Sequence, residues 1–188
     1  MEPLIIVLLA IAAVPLLGIF SYNRFIAQAA SIEATWANIE AELQRRHDLV
    51  PNLVATVEGY ASHERGVLEQ VTEARTRAVA SVPTDVTMTD QARAEDALTQ
   101  GLTTLLAITE SYPDLQSDTA FRDLQRQLVE TEDRIAAARR LYNLEVAAFE
   151  RRRQAVPSNL VASALGFDAR EMFEIRDPAA EHAPHVAP

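Results

Sequence analysis

Apolar residues recur along most of this chain at intervals of three and four, the spacing that lines side chains along one face of an α-helix. Ile32, Trp36, Ile39 and Leu43 step by four, three and four, and the stripe resumes as Val50, Leu53, Val57, Tyr60, Val67, Val71, Ala74 and Ala78. Leu43, Val50 and Val57 are seven apart, so the heptad phase survives across Pro51. This predicts one long helix bent at the proline, with a hairpin at that point as the alternative. A helix unbroken from Glu33 to Ala80 reaches roughly 70 Å.

The segment 81–92, SVPTDVTMTDQA, has the proline and small polar residues of a connection. Asp90 is placed to cap a second helix with the stripe Leu98, Leu102, Leu105 and Thr109, ending at Tyr112 ahead of Pro113. Ser117 or Asp118 opens a third, with Phe121, Leu124, Leu128, Thr131, Ile135, Ala138, Tyr142 and Phe149 on one face. It is expected to stop near Arg153, where Arg151, Arg152 and Arg153 complement the negative end of the helix dipole. A short fourth helix runs from Pro157 to Gly166, residues favoured at a first helical position and just past a helix end. The predicted fold is all-α: an elongated antiparallel helical bundle of three long helices plus a short C-terminal one, resembling a four-helix bundle.

Ahead of these stripes lies a different pattern. Residues 3–20, PLIIVLLAIAAVPLLGIF, carry no charge, and the first arginine is Arg24. Eighteen helical residues span roughly 27 Å, close to the hydrocarbon thickness of a bilayer. A transmembrane anchor over residues 1–23 is therefore predicted. A cleaved signal peptide fits less well, because no basic residue precedes the apolar run. Pro15 and Gly18 are tolerated in a membrane helix, and Tyr22 falls at the interface. Glu2 before the segment and Arg24 after it favour an outward N-terminus and a cytoplasmic bundle over residues 24–175. Residues 176–188, acidic and rich in proline, are expected to be a disordered tail.

Composition narrows the chemistry. The chain of 188 residues has no cysteine, which excludes disulfides and thiolate chemistry. Its formal charge of −10 argues against a nucleic-acid partner, which requires a basic face. All 17 basic residues are arginine, a bias ascribed to the coding of the source genome. A di-iron bundle requires a glutamate three residues before a histidine, but Gln44 precedes His47 and Tyr60 precedes His63 at that distance. His182 and His185 lie in the tail, and the five glycines are too scattered for a phosphate loop. No cofactor or metal is expected.

One stretch stands out, RRHDLVPNLV at 45–54. Pro51 lacks the amide that would bond to the carbonyl of His47, so that acceptor needs another donor, with Arg45, Arg46 and Asn52 the nearest supply. The bland reading is a helix bend with its own polar patching. The sharper one is a docking notch formed by Arg45, Arg46, His47, Asp48, Pro51 and Asn52.

That stretch, together with Tyr22-Asn23, Trp36, Gly59-Tyr60-Ala61, His63-Glu64, Tyr112-Pro113-Asp114-Leu115, Thr131-Glu132, Ala138-Arg139-Arg140 and Tyr142-Asn143, resembles the LemA family of bacterial membrane proteins. The likeness covers about residues 15 to 173. It implies one N-terminal membrane helix with the N-terminus outside, an antiparallel bundle in the cytoplasm, and no established catalytic residues. The expected function is a non-catalytic scaffold at the inner membrane, held in the bilayer by residues 3–23. Its partners are then unidentified membrane or cytoplasmic proteins, or further copies of itself. The alternative is a signalling component that uses the Pro51 bend as a relay.

Overall fold

A computed structural model of the chain describes the backbone of residues 2–82 and 87–174, with side chains from Pro15 onward within those ranges. The expected tail, 176–188, lies outside the described residues, as do the side chains of residues 2–14. Among the described residues six helices follow in order: α1 (Glu2–Glu58), α2 (Arg65–Ala80), α3 (Met88–Thr109), α4 (Pro113–Ser117), α5 (Thr119–Gln154) and α6 (Ser158–Leu165). Among the described residues no helix is long and apolar enough to cross a membrane.

Two compact units are present. One comprises Ile39–Arg139 with Phe173, the other α1 as far as Asn38 with Arg140–Met172.

In the first unit, the end of α1, α2, α3 and the first part of α5 alternate in direction. Arg75 of α2 reaches back to His47 of α1, Tyr112 beyond α3 returns to Glu64 before α2, and Asp118 ahead of α5 meets Tyr60. Val50, Leu53 and Val57 pack with Leu68, Val71, Ala74, Leu98, Leu102, Leu105, Phe121 and Leu128 into one core. All but Leu68 are stripe residues; in α2 Leu68 takes the buried place expected of Val67, which is only partly buried. Gly101 lets α3 approach α2 closely, since a Cβ there would lie 3.3 Å from Val71 Cγ2.

α1 is continuous through Pro51 and ends at Glu58, so no helix runs unbroken from Glu33 to Ala80. Gly59 stands at the break, where a helix interior would lose ~1 kcal/mol relative to alanine. The stripe, continuous in sequence, folds back on itself and buries Val50 to Val57 against Leu68 to Ala78. Tyr60 leaves the stripe and is exposed, its hydroxyl donating to Asp118 Oδ2 at 2.8 Å.

Helix ends follow local chemistry. α3 starts at Met88, with Thr87 as its cap: the Asp90 amide donates to Thr87 Oγ1 at 3.1 Å, and the Thr87 hydroxyl donates to Asp90 Oδ2. Asp90 thus stands in the first turn, bonded to the hydroxyl of the cap, and is not the cap itself. Asp118 Oδ1 accepts from the amides of Ala120 and Phe121 at 2.7 and 3.1 Å and opens α5. Between Tyr112 and Asp118, Pro113 starts the short α4.

In the second unit, α1 and α5 pair antiparallel through aromatic contacts. Phe25 stacks on Phe167 with ring centroids 4.6 Å apart and meets Phe149 edge-on at 5.6 Å. Trp36 lies 5.4 Å from the Tyr142 ring, whose hydroxyl donates to the Glu171 carbonyl. Gly166 ends α6 with φ 70°, a left-handed conformation that costs glycine nothing. Phe167 then turns back between Tyr22 and Phe25.

Candidate functional site: a buried charge cluster

Leu43 and Val50 are one heptad apart, and the two positions between them that face the core are occupied by Arg46 and His47. Both side chains are about 1% exposed. α3 presents Glu95 and, one turn on, Thr99; α5 presents Glu132. Glu95 is fully buried, whereas Glu132 remains 37% exposed.

The Arg46 guanidinium joins all three. One terminal nitrogen donates to Glu95 Oε2. The other donates to Glu132 Oε1 at 2.8 Å and Thr99 Oγ1 at 3.0 Å. His47 Nε2 donates to the remaining Glu95 oxygen at 3.0 Å, since an ionised carboxylate can only accept. The Thr99 hydroxyl closes the ring by donating to the Glu95 carbonyl at 3.1 Å. Arg46 Nε and His47 Nδ1 are buried without a protein partner.

The electrostatics follow from this geometry. Burial alone would push the Arg46 guanidinium down, but the carboxylates of Glu132 and Glu95 outweigh it and hold the group above its ordinary value. Burial alone would likewise raise the Glu95 carboxyl. The hydrogen bond from His47 and the charge of Arg46 prevail and hold it below the ordinary carboxylate range.

α2 contributes a further link. Arg75 Nε donates to the carbonyl of His47 at 2.6 Å, which is the acceptor that Pro51 leaves free. The donor comes from the neighbouring helix, not from Arg45, Arg46 or Asn52. The proline thus creates a backbone acceptor inside the bundle, and a side chain 28 residues away satisfies it.

The six residues of the expected notch divide between two sides of α1. Arg46 and His47 point inward, a correction to the expectation that Arg46 faces a partner. Asp48, Pro51 and Asn52 are exposed and Arg45 partly so. Asp48 accepts from Gln44 Nε2 one turn earlier at 2.8 Å. His63 is exposed, and among the described residues no group of histidine and carboxylate side chains is arranged to hold a metal ion. Glu95, Thr99 and Arg75 were not anticipated as partners. The available signal was position: Glu95 stands three residues before Leu98 and seven before Leu102, squarely on the α3 stripe.

The sequence profile of the LemA family matches residues 35–187, which include every member of this cluster. The chain belongs to the LemA family. Two magnetosome proteins of Paramagnetospirillum magneticum, MamQ 1 and MamQ 2, are each 26% identical to it over 91% of its length and 71% of theirs. The MamQ magnetosome protein of Magnetospirillum gryphiswaldense is 25% identical, over 81% of this chain and 64% of its own. In this LemA-family chain, the stretch that carries the most conspicuous polar residues binds α1 to α2, α3 and α5 from within.

Proposed function

We propose that this LemA-family chain is a non-catalytic, membrane-anchored helical bundle that holds or localises partner proteins at the bacterial inner membrane, with the bundle on the cytoplasmic side. One observation carries the reading: the reactive groups of RRHDLVPNLV, Arg46 and His47, are committed to internal partners, while Arg45, Asp48, Pro51 and Asn52 lie outward or partly so. A charge cluster enclosed by helices fixes shape. A substrate would need convergent polar groups around an accessible cavity, and here the convergent groups meet one another.

The anchor rests on the uncharged run 3–20, on helical backbone from Glu2, and on the exposed Leu16, Leu17, Ile19 and Phe20. Four apolar side chains left exposed on one helix are costly in water and favourable in lipid. The relatives are named for the magnetosome and not for a reaction, which is in keeping with a role in an assembly.

The test is photo-crosslinking in native membranes from positions 48 and 52, comparing wild type with the combined variant Arg45→Ala, Asp48→Ala, Asn52→Ala after circular dichroism shows equal helicity. Reproducible partners lost in the variant support the reading. Membranes that give no partner from either position, or partners indifferent to the substitutions, remove the outward face of α1 as a docking surface.

A further inference from the structure

At the end of α5 and in α6, exposed apolar residues stand beside a run of arginines. Val156 is 80% exposed and Leu160 is 68% exposed, with Leu165 also outward. Ala162 is the residue by which α6 packs, so Leu160, two positions earlier, points away from that contact. Burying a leucine side chain is favourable, so a short helix that leaves these groups in water forgoes a large part of what it can gain.

Charge at this end of the unit runs opposite to that of the whole chain. Across residues 15–32 and 149–170 there are five arginines, Arg24, Arg151, Arg152, Arg153 and Arg170, against the carboxylates Glu150 and Asp168. The chain as a whole carries −10. Glu150 is already engaged, accepting from Arg153 and from the Arg170 amide. Arg152 donates to Gln28, a neutral partner, and both burial and the nearby Arg24 push its pKa down. Arg24 and Arg151 are exposed.

The position of these groups along α1 is set by the aromatic contacts. Phe167, just past α6, packs on Tyr22 and Phe25, whose α1 positions lie within roughly 8 Å of Phe20 at 1.5 Å per residue. That is the level at which a helix leaving the hydrocarbon core meets the headgroups. Arginines around exposed aliphatic side chains suit that layer, with apolar tips in the acyl boundary and guanidinium groups among phosphates.

We propose that the α5–α6 corner, through Val156, Leu160 and Leu165 with Arg24 and Arg151, is a second membrane contact that docks on the surface of a bilayer containing anionic lipid. The inference rests on the anchor reading only for its height above the bilayer. It turns the unit from a domain swinging on one helix into one seated on the membrane, with Phe167 as the strut between anchor and corner.

The absence of cysteine makes the test direct. The full chain is reconstituted into phosphatidylcholine vesicles with or without a quarter phosphatidylglycerol, with a single bimane label on Phe20→Cys, Leu160→Cys or, as a water-exposed reference, Thr76→Cys. Quenching by doxyl-labelled lipid and the emission maximum are then read. The expected result is a blue-shifted, lipid-quenched label at position 160 in the phosphatidylglycerol vesicles, with position 76 unaffected. The further substitution Arg151→Gln is expected to weaken that lipid contact about fivefold in equilibrium constant. Quenching at position 20 with an aqueous label at position 160 overturns the docking surface and leaves the anchor standing. No quenching at position 20 removes the anchor, and the corner then stands or falls by its own label. Self-quenching at position 160 that grows with protein density, without lipid quenching, assigns the corner to a second copy of the chain and overturns the proposal.

Discussion

Substituting Glu95 by leucine tests the buried cluster most sharply. The change removes the acceptor for an Arg46 terminal nitrogen and for His47 Nε2 in a place that water does not reach. Breaking a buried ion pair from one side costs about 3–5 kcal/mol, because the remaining charge stays buried. Arg46 keeps Glu132 and Thr99, which places the cost near the lower end, ~3 kcal/mol, while the exposure of Glu132 screens its attraction and keeps the cost from falling further. Arg46→Met alone is expected to cost a similar amount by stranding Glu95. The double variant Arg46→Met with Glu95→Leu strands neither charge and leaves only His47 Nε2 without its acceptor, so it is expected to lie within about 1–3 kcal/mol of wild type. The assay is urea unfolding of the full chain in detergent micelles, followed by far-ultraviolet circular dichroism, with all four corners of the cycle measured. A Glu95→Leu cost below about 1 kcal/mol, or a double variant as unstable as the sum of the singles, refutes the reasoning.

Three further outcomes follow from the same contacts. The Glu95 carboxyl is held below its ordinary value, so its contribution is complete above about pH 5 and is lost as pH falls through the lower folded value; acid unfolding of Glu95→Gln should therefore be the less steep in that window. Arg75→Ala leaves the His47 carbonyl without its donor and is expected to cost about 1–3 kcal/mol, less when Pro51→Ala restores the helical amide; equal costs in both backgrounds would sever the link between proline and arginine. Asp118→Ala removes both the cap of α5 and the acceptor of Tyr60, and amide exchange should accelerate at Ala120 and Phe121, whereas Tyr60→Phe should leave those two amides protected.

The fold was legible wherever periodicity carried the information. Leu43, Val50 and Val57, then Leu98, Leu102 and Leu105, then Phe121, Leu128 and Ile135 are buried as their spacing requires. Periodicity does not record a reversal of direction. The step from Val57 through Tyr60 to Val67 keeps its intervals whether the chain continues or doubles back, and only Gly59 hinted at the break. The cluster was half legible for a related reason. Arg46 and His47 drew notice as polar residues near a proline, but their inward orientation follows from standing between Leu43 and Val50. Glu95 passed as one carboxylate among many, although its register on the α3 stripe was as informative as that of any leucine.

The cluster also answers a problem that the apolar stripes create. Leucine, valine and alanine repeated at heptad spacing pack acceptably in more than one register, because a slip of seven residues places like against like. Such a slip displaces Arg46 by roughly 10 Å along the axis and sets its charge against aliphatic side chains, at a cost of several kcal/mol. Contacts from Arg46 to both α3 and α5, with Arg75 of α2 on the adjacent carbonyl, therefore select one register for four helices at once. A hydrophobic replacement of the central pair would keep most of the stability while losing that selection. On this account the polar signature lies inside the bundle because it fixes the alignment of the helices, and so the arrangement of the outward residues that a partner meets.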